Sequence, residues 1–330
     1  MMSCSSPQTG EPAISTDKQT TLPVSVAIPT FGREEVLIDT ITMLLAQEPA
    51  AAEILVLDQS QTHLPVTELK LAAWDVEKRI RWLRLDRPSQ PAALNVALQR
   101  AREPLVLFLD DDIRIGPGFL SAHVARFTRP DIWAVAGQVL QPGEVPDEAF
   151  EHRPEQGPFA DVGFPFRSAR PALIENGMSG NLCVRRDRAL EVGGFDENFV
   201  PPVAYRFDNE FCKRLCHAGG RIAFEPDARI HHLRAPRGGT RANGNHLTSM
   251  SPEHGVGDYY FALLHARGVA RWKYIARRVV REVCTRFHLK HPWWIPVKLI
   301  GELRALLLAL RFRKSGPRLS CQDPSLPCQE

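Results

Sequence analysis

The run Leu105-Val106-Leu107-Phe108-Leu109 continues directly into Asp110-Asp111-Asp112. Five consecutive apolar residues between polar segments predict a buried strand. Three adjacent carboxylates repel one another, so a cation is expected to offset them. Hard divalent ions such as Mg²⁺ and Mn²⁺ prefer carboxylate and phosphate oxygens as ligands. The stretch therefore predicts a strand that ends in a metal site, with a solvated acidic turn as the alternative.

Outward from this strand, short apolar runs alternate with helical patterns. Strands are predicted at residues 24–28, 53–57, 80–85, 105–109, 132–140 and 221–224, and helices at 34–47, 91–101, 208–219 and beyond 259. Alternation of this kind is typical of a parallel sheet with helices on both faces. We therefore predict an α/β fold with a mostly parallel, Rossmann-like sheet.

Polar side chains follow three of the predicted strands. Thr30, Asp58 and Asp110 each come just after the last residue of a strand. In open α/β sheets the carboxyl ends of the strands form the edge where ligands bind. This placement favours the metal-site interpretation of the triplet over the solvated turn.

Two further segments carry candidates for catalysis and for ligand binding. Asp208 and Glu210 open a predicted helix, where an acid serves either as a cap or as a general base. Gly180 and Asn181 come before or at the start of a short predicted strand, residues 182–184, where they form either a tight turn or a surface that contacts a ligand. The sequence leaves both pairs of alternatives open.

Basic residues follow the last predicted strand. His231 and His232 are adjacent, so in strand geometry at most one of them reaches a site. Arg234, Arg237 and Arg241 lie around two glycines, which suits a lid that closes over a phosphate group. A surface loop of ordinary composition is the alternative.

In this order and at these intervals, residues 22–241 resemble glycosyltransferase family 2. The motifs that carry the resemblance are Val26-Ala27-Ile28-Pro29-Thr30-Phe31-Gly32-Arg33, Leu55-Val56-Leu57-Asp58-Gln59-Ser60, residues 90–95, Phe108-Leu109-Asp110-Asp111-Asp112, Val192-Gly193-Gly194-Phe195-Asp196-Glu197 and residues 208–232. The resemblance implies a GT-A fold and an inverting transfer from a nucleotide-sugar donor to a glycan, lipid-linked or other small acceptor. It also implies a divalent metal cofactor, Mn²⁺ or Mg²⁺.

The same resemblance assigns roles to individual residues. Donor binding is expected at Pro29, Thr30, Gly32, Arg33, Asp58, Asn95, Asp110 and Asp111, metal binding at Asp112, Asp110 and His232, sugar contacts at Gly180 and Asn181, and lid contacts to the diphosphate at Arg237 and Arg241. Asp208 is expected to be the general base, and Glu210 remains the other candidate because Phe207 stands where the family often has an acid. Gln59 and Leu94 depart from the family pattern, so UDP is favoured while GDP and dTDP stay open.

The chain divides into three parts by composition. Residues 1–21 are expected to be a disordered arm, 22–245 the catalytic domain, and 246–330 a helical region with a disordered tail. Residues 267–318 contain 14 Lys/Arg and two acids, together with tryptophans and leucines. This composition favours a helix on an anionic membrane surface, with packing onto the catalytic domain as the alternative. We expect no nucleic-acid partner, because no recognised motif accompanies the basic residues.

The seven cysteines are an odd number without a disulfide framework, and the N-terminus lacks the features of a signal peptide. A cytoplasmic location, with peripheral membrane contact, is therefore expected. Two other functions remain open. Nucleotidyl transfer onto a sugar phosphate predicts a Gly-rich, basic phosphate loop after the first strand, and a non-catalytic binding module predicts loss of the acids.

Overall fold

A computed structural model describes residues 21–199, 205–239 and 245–319. It contains a nine-stranded sheet. The strands are β1 Leu22–Thr30, β2 Ala51–Asp58, β3 Arg81–Arg84, β4 Leu105–Leu109, β5 Ile113–Ile115, β6 Ile132–Leu140, β7 Ala172–Ile174, β8 Asn181–Arg185 and β9 Arg221–His232. The order across the sheet is β3-β2-β1-β4-β8-β6-β9-β5, and β7 pairs with β9.

The first four strands form a parallel unit. β1 lies between β2 and β4 and is parallel to both, and β3 continues the parallel arrangement beyond β2. The other half is mixed, because β8 runs antiparallel to β4 and β6, while β6 and β9 are parallel. The predicted α/β class is confirmed, and its parallel arrangement holds for the half of the sheet that the alternating pattern covered.

Six helices belong to the sheet region: α1 Glu35–Leu45, α2 Pro65–Val76, α3 Gln90–Arg100, α4 Phe119–Ala125, α5 Arg186–Glu191 and α6 Phe207–His217. α1, α3 and α6 lie where the periodicity predicted helices. α2 was not predicted, because only three of its twelve residues are buried and its apolar pattern is correspondingly weak. The three-residue strand β5 is also too short to leave a signal in the sequence.

Hydrophobic cores cover both faces of the sheet. Along β4, Val106 and Phe108 belong to one core, and Leu107 and Leu109 belong to the other. This division follows from the alternation of side chains in a strand. The uninterrupted apolar run before the acidic triplet is therefore explained by burial on both faces, and it holds the carboxyl end of β4 rigidly.

The C-terminal part of the described chain is helical. It consists of α7 Val256–His265, α8 Gly268–Val283, α9 Arg286–Lys290 and α10 Ile295–Ser315. Tyr259 and Tyr260 of α7 belong to the same core as Phe195 and Phe199, so α7 packs directly against the sheet region. None of the helices in the described ranges has both the length and the apolar character that crossing a bilayer requires.

Candidate active site

The acidic triplet lies at the carboxyl edge of the sheet, between β4 and β5. The Asp110 amide donates to the Gly180 carbonyl at 3.1 Å, which joins the triplet to the turn before β8. Asp111 is buried and accepts a hydrogen bond of 2.7 Å from the Thr30 hydroxyl. Burial raises the pKa of Asp111 to about 7, against the lowering effects of Arg33 and Thr30. The middle acid therefore links β1 to β4 inside the site.

Asp110, Asp112 and His232 form the candidate metal site. One ligand atom from each residue lies within 4.8 Å of the other two. His232 Nε2 is 3.2 Å from Asp112 Oδ1 and 3.7 Å from Asp110 Oδ2. Antiparallel pairing of β5 with β9 places Ile113 opposite His232, which brings the histidine to the triplet across 120 residues of sequence. Two carboxylates and one imidazole are a donor set that fits Mn²⁺ or Mg²⁺, so the residues present suit the ion that the resemblance implied.

Gln141 orients the histidine of this site. It follows β6 directly, and its Oε1 lies 3.2 Å from His232 Nδ1. With Nδ1 donating to that oxygen, Nε2 faces the two carboxylates. Burial by itself raises the pKa of Asp112. A hydrogen bond to His232 and the charge of that histidine nevertheless hold the pKa of Asp112 below its ordinary value.

Arg33 supplies the positive charge inside the site. Its Nη2 lies 3.1 Å from Asp112 Oδ2, and its Nε lies 3.3 Å from Asp111 Oδ1. The other terminal nitrogen donates to the carbonyls of Ala235 and Arg237. Arg33 therefore offsets the repulsion within the triplet, and it also ties the loop after β9 to the turn after β1.

Two adjoining cavities meet at these residues. The larger has a volume of about 450 Å³ and is lined by Pro29, Thr30, Phe31, Arg33, Gln59, Gln90, Asp110, Asp111, Asp112, His232, Arg234, Ala235, Pro236, Gly238 and Gly239. The smaller, of about 60 Å³, is lined by Gln90, Asp110, Val139, Gln141, Met178, Ser179, Gly180, Asp208, His232 and Arg234. The larger volume is in the range of small-molecule sites. Two of the three candidate metal ligands, Asp110 and His232, line both this cavity and the one that contains Asp208.

Position 180 requires a glycine because the Asp110 carboxylate lies too close for a side chain. A Cβ atom built on Gly180 would lie less than 3.0 Å from the Asp110 carboxylate. Gly180 lines the smaller cavity, as its predicted role in sugar contact requires, and its lack of a side chain leaves room for a candidate metal ligand.

The structure separates the two candidates for the base. Asp208 is half-buried and lines the smaller cavity. Glu210 is buried, and both of its oxygens accept 2.7 Å hydrogen bonds from Arg214. Burial alone raises the pKa of Glu210, but Arg214 and His265 lower it to about 2. Glu210 therefore stays a candidate on sequence grounds alone, and its carboxylate is held in an internal ion pair and does not line either cavity.

The donor contact expected at Asp58 also stays a prediction, and the structure shows its carboxylate bonded within the protein. Asp58 is fully buried and does not line either cavity. Its carboxylate accepts hydrogen bonds from Trp82 Nε1 at 2.9 Å and from the Ser60 amide at 2.9 Å, and it lies 2.9 Å from His63 Nε2. These partners point the acid into the protein. The neighbouring Gln59 lines the larger cavity in its place.

Two asparagines for which ligand contacts were expected form hydrogen bonds with other parts of the fold. Asn95 donates to the Phe195 carbonyl and to Glu197, each at 2.9 Å, and accepts from the Phe195 amide at 2.7 Å. Asn181 contacts His123 at 2.8 Å and donates to backbone carbonyls of β6 and β9. Both are buried and outside the lining of the two cavities, so neither is placed for the expected donor or sugar contact.

The loop after β9 covers the larger cavity but uses a different arginine from the one expected. Arg237 is exposed and its side chain does not line the cavity, while Arg234 does. Arg241 lies outside the described residues. Gly238 and Gly32 both adopt positive φ angles, and a Cβ on Gly238 would lie less than 3.0 Å from the Gly32 carbonyl. Close backbone contact therefore explains these glycines, and Gly32 shapes the turn without lining the cavity.

The sequence assigned no role to several cavity residues. These are Gln59, Gln90, Gln141 and Ser179. Gln59 and Gln141 each follow a strand at the same sheet edge as Asp110. Their position directly after a strand is a signal in the sequence. The prediction of site residues took this signal into account only for charged residues and threonine.

Comparison with known proteins places this geometry in context. The family described as "Glycosyl transferase family 2" matches residues 25–193. The O-antigen biosynthesis protein RfbC of Myxococcus xanthus is 31% identical over 65% of this chain and 18% of its own length. A pre-mycofactocin glycosyltransferase of Mycobacterium tuberculosis (strain ATCC 25618 / H37Rv) is 30% identical over 43% of this chain and 29% of its own length. The chain thus spans less than a third of either relative.

Solved structures share the fold. GalNAc-T7 with UDP, GalNAc and Mn²⁺ gives a TM-score of 0.53 at 16% identity, covering 67% of this chain and 44% of its own. The mannosyltransferase PcManGT from Pyrobaculum calidifontis, in complex with GDP-Man and Mn²⁺, gives a TM-score of 0.52 at 15% identity, covering 90% of this chain and 80% of its own. The predicted GT-A fold is thereby confirmed.

Proposed function

The chain belongs to glycosyltransferase family 2, and we propose that it transfers a sugar from a nucleotide-diphosphate donor to an acceptor hydroxyl with inversion at the anomeric carbon. One observation carries the proposal. Asp110 and His232 line both the larger cavity and the smaller one, and the smaller one also contains Asp208. A donor diphosphate beside the metal ligands would therefore direct its sugar toward a carboxylate that can act as a base.

The chemistry follows from these positions. Asp110, Asp112 and His232 would hold a divalent ion, which would supply Lewis-acid stabilisation of the negative charge on the diphosphate. Asp208 takes the proton of the acceptor hydroxyl as its oxygen bonds to the anomeric carbon. The bond from that carbon to the donor phosphate breaks, and its electron pair leaves with the nucleotide diphosphate. Attack opposite the leaving group inverts the configuration.

Arg33 and the loop after β9 would close the donor site. The arginine is ion-paired with Asp111 and Asp112, and it holds the Ala235 carbonyl at 3.0 Å. These contacts keep the loop over the larger cavity, where it can exclude water from the donor. Arg234 takes the diphosphate-binding role that was expected of Arg237, because only Arg234 lines the cavity.

Binding and transfer assays identify the nucleotide and the sugar of the donor. UDP is the first nucleotide to examine and GDP the second, since solved neighbours were obtained with UDP and with GDP-Man. Mn²⁺-dependent binding is measured by calorimetry, and transfer by release of the nucleotide diphosphate. Release of pyrophosphate from a nucleoside triphosphate and a sugar phosphate would instead indicate nucleotidyl transfer. Asp112→Ala should abolish metal-dependent binding, and unchanged binding in this variant would reject the donor site.

The base is tested by Asp208→Asn. Loss of a general base typically lowers the rate by about 10²- to 10⁴-fold, while the affinity for UDP with Mn²⁺ should change little. Asp187→Asn is a matched control, because Asp187 also lies in the first turn of a helix but is solvent-exposed and outside both cavities. Transfer at the wild-type rate by Asp208→Asn would reject the proposed mechanism.

We further propose that α8 and α10 contact an anionic membrane surface, where a lipid-linked acceptor would be presented. Trp272 and Trp293 are 58% and 65% exposed, and Leu303 and Leu307 of α10 are exposed as well. Basic residues of the same helices complement anionic lipid, and interfacial tryptophans favour the boundary between headgroups and acyl chains. The four cysteines within the described ranges are free, which supports placing this contact on the cytoplasmic face.

Vesicle co-sedimentation tests this contact. The protein should bind phosphatidylglycerol vesicles, bind phosphatidylcholine vesicles weakly, and dissociate as salt is raised. Replacing both Trp272 and Trp293 by Ser should weaken binding by about tenfold, since each indole would lose contact with the interface. Val145→Ser is the control, because Val145 is 70% exposed but lies outside the C-terminal helices. Equal affinity for both lipids, or none for either, would contradict the proposal.

A further inference from the structure

We infer that α7 positions the catalytic base: Gly257 and Asp258 hold Tyr205 and Arg206, the two residues before the helix that carries Asp208. The inference rests on the proposed role of Asp208 and adds a function for the C-terminal helices. Tyr205 and Arg206 lie just before α6, and both contact α7 directly. The first turn of the base helix is thus built against a helix from a distant part of the chain.

The first contact is an ion pair. Arg206 Nε donates to Asp258 Oδ1 at 2.8 Å, and the side chains are 10% and 0% exposed. The same guanidinium donates through Nη1 to Asn209 Oδ1 at 3.2 Å. Arg206 therefore connects α7 with the residue that follows Asp208. A shift of this arginine would move the turn that carries the base.

The second contact is between backbones. A Cβ on Gly257 would lie less than 3.0 Å from the Tyr205 carbonyl, so a larger residue at this position would push the segment away. Arg206 has a φ of +76°, a left-handed conformation that is unfavourable for a residue with a side chain. Such a conformation persists only where the surroundings hold it, and here Asp258 and Gly257 supply those surroundings.

Asp258 is itself fixed from the other side. Tyr274 donates to it at 2.8 Å, and Arg278 and Arg281 of α8 also contact its carboxylate. Arg278 in turn lies 3.1 Å from Glu302 of α10. Asp258 lines neither cavity, so it acts on the reaction only through the base helix, as a positioning residue.

The test is Arg206→Ala, which removes the anchor while every metal ligand remains. We expect kcat for transfer to fall on the order of 10²-fold, because small displacements of a reacting group have effects of that size. The dissociation constant of UDP with Mn²⁺ should stay within about twofold, since Arg206 is outside the larger cavity. Arg206→Gly keeps the backbone conformation accessible and should lose less activity than Arg206→Ala.

Arg277→Ala is the matched control. Arg277 is exposed and belongs to the same helix, α8, but it is not one of the residues that hold Asp258, so both kcat and UDP affinity should be unchanged. Wild-type kcat in Arg206→Ala would overturn the inference, and so would a parallel loss of kcat and UDP affinity, which would indicate a role in the fold as a whole. If Asp208→Asn is inactive while Arg206→Ala is fully active, only this inference fails. If Asp208→Asn is active, the proposed function fails first.

Discussion

Replacing Asn95 by Ala tests whether this side chain binds the donor or stabilises the fold. The family resemblance predicts a donor contact at Asn95, whereas the structure shows its amide bonded to Phe195 and Glu197. Asn95 is 2% exposed, and Phe195 is fully buried. The substitution removes the partner of both the amide and the carbonyl of Phe195. The two groups would then lose hydrogen bonds in a place that water does not reach.

The size of the effect follows from these bonds. A buried polar group that loses its partner costs about 1–3 kcal/mol, so two backbone groups should lower the free energy of unfolding by about 2–6 kcal/mol. That loss is a large part of a typical total of about 5–15 kcal/mol. UDP affinity of the folded variant should be unchanged, because Asn95 lies outside both cavities.

Urea unfolding followed by circular dichroism gives the free energy, and calorimetry with UDP and Mn²⁺ gives the affinity. Gln90→Ala is the matched control, because Gln90 belongs to the same helix, is half-buried and lines both cavities. It should weaken UDP binding and change stability by less than about 0.5 kcal/mol. An Asn95→Ala variant of wild-type stability that binds UDP tenfold more weakly would refute the structural assignment.

Three further predictions concern other buried positions. Gly180→Ala should displace the Asp110 carboxylate and weaken Mn²⁺-dependent UDP binding. Gly163→Ala should leave binding unchanged, because no atom lies within 4 Å of the new methyl group. Equal UDP affinities of the two variants in calorimetry would contradict this. Glu210→Gln should lower the unfolding free energy by about 3–5 kcal/mol in urea while transfer per folded molecule is retained, and loss of transfer alone would restore its catalytic role. Burial lowers the pKa of His123 to about 4, so the folded state keeps the ring neutral where the unfolded chain protonates. Stability should therefore fall by about 3 kcal/mol from pH 6.5 to 4, and His123→Gln should flatten that slope in urea titrations.

Local pattern was enough to predict much of the fold. Mostly apolar runs of five to nine residues predicted β1, β2, β4 and β6, because burial of a central strand leaves few polar positions in it. The acidic triplet follows β4 directly in the chain. The prediction of this strand therefore also placed the triplet at the edge of the sheet. Asp110 and Asp112 remained together in the candidate metal site because their spacing is set by neighbouring backbone.

The amino-acid sequence alone was thus enough to predict the α/β class, the family and the position of the acidic triplet directly after β4. Tertiary structure decided which polar side chains face that edge. Asp58, Asn95 and Glu210 have the same hydrogen-bonding groups whether they meet a ligand or the protein, and only their packing partners distinguish the two cases. His232 reaches the triplet through pairing of β5 with β9, and Arg206 is held by α7, contacts that span long stretches of chain. Such contacts depend on strand register and helix packing, and no local pattern encodes them.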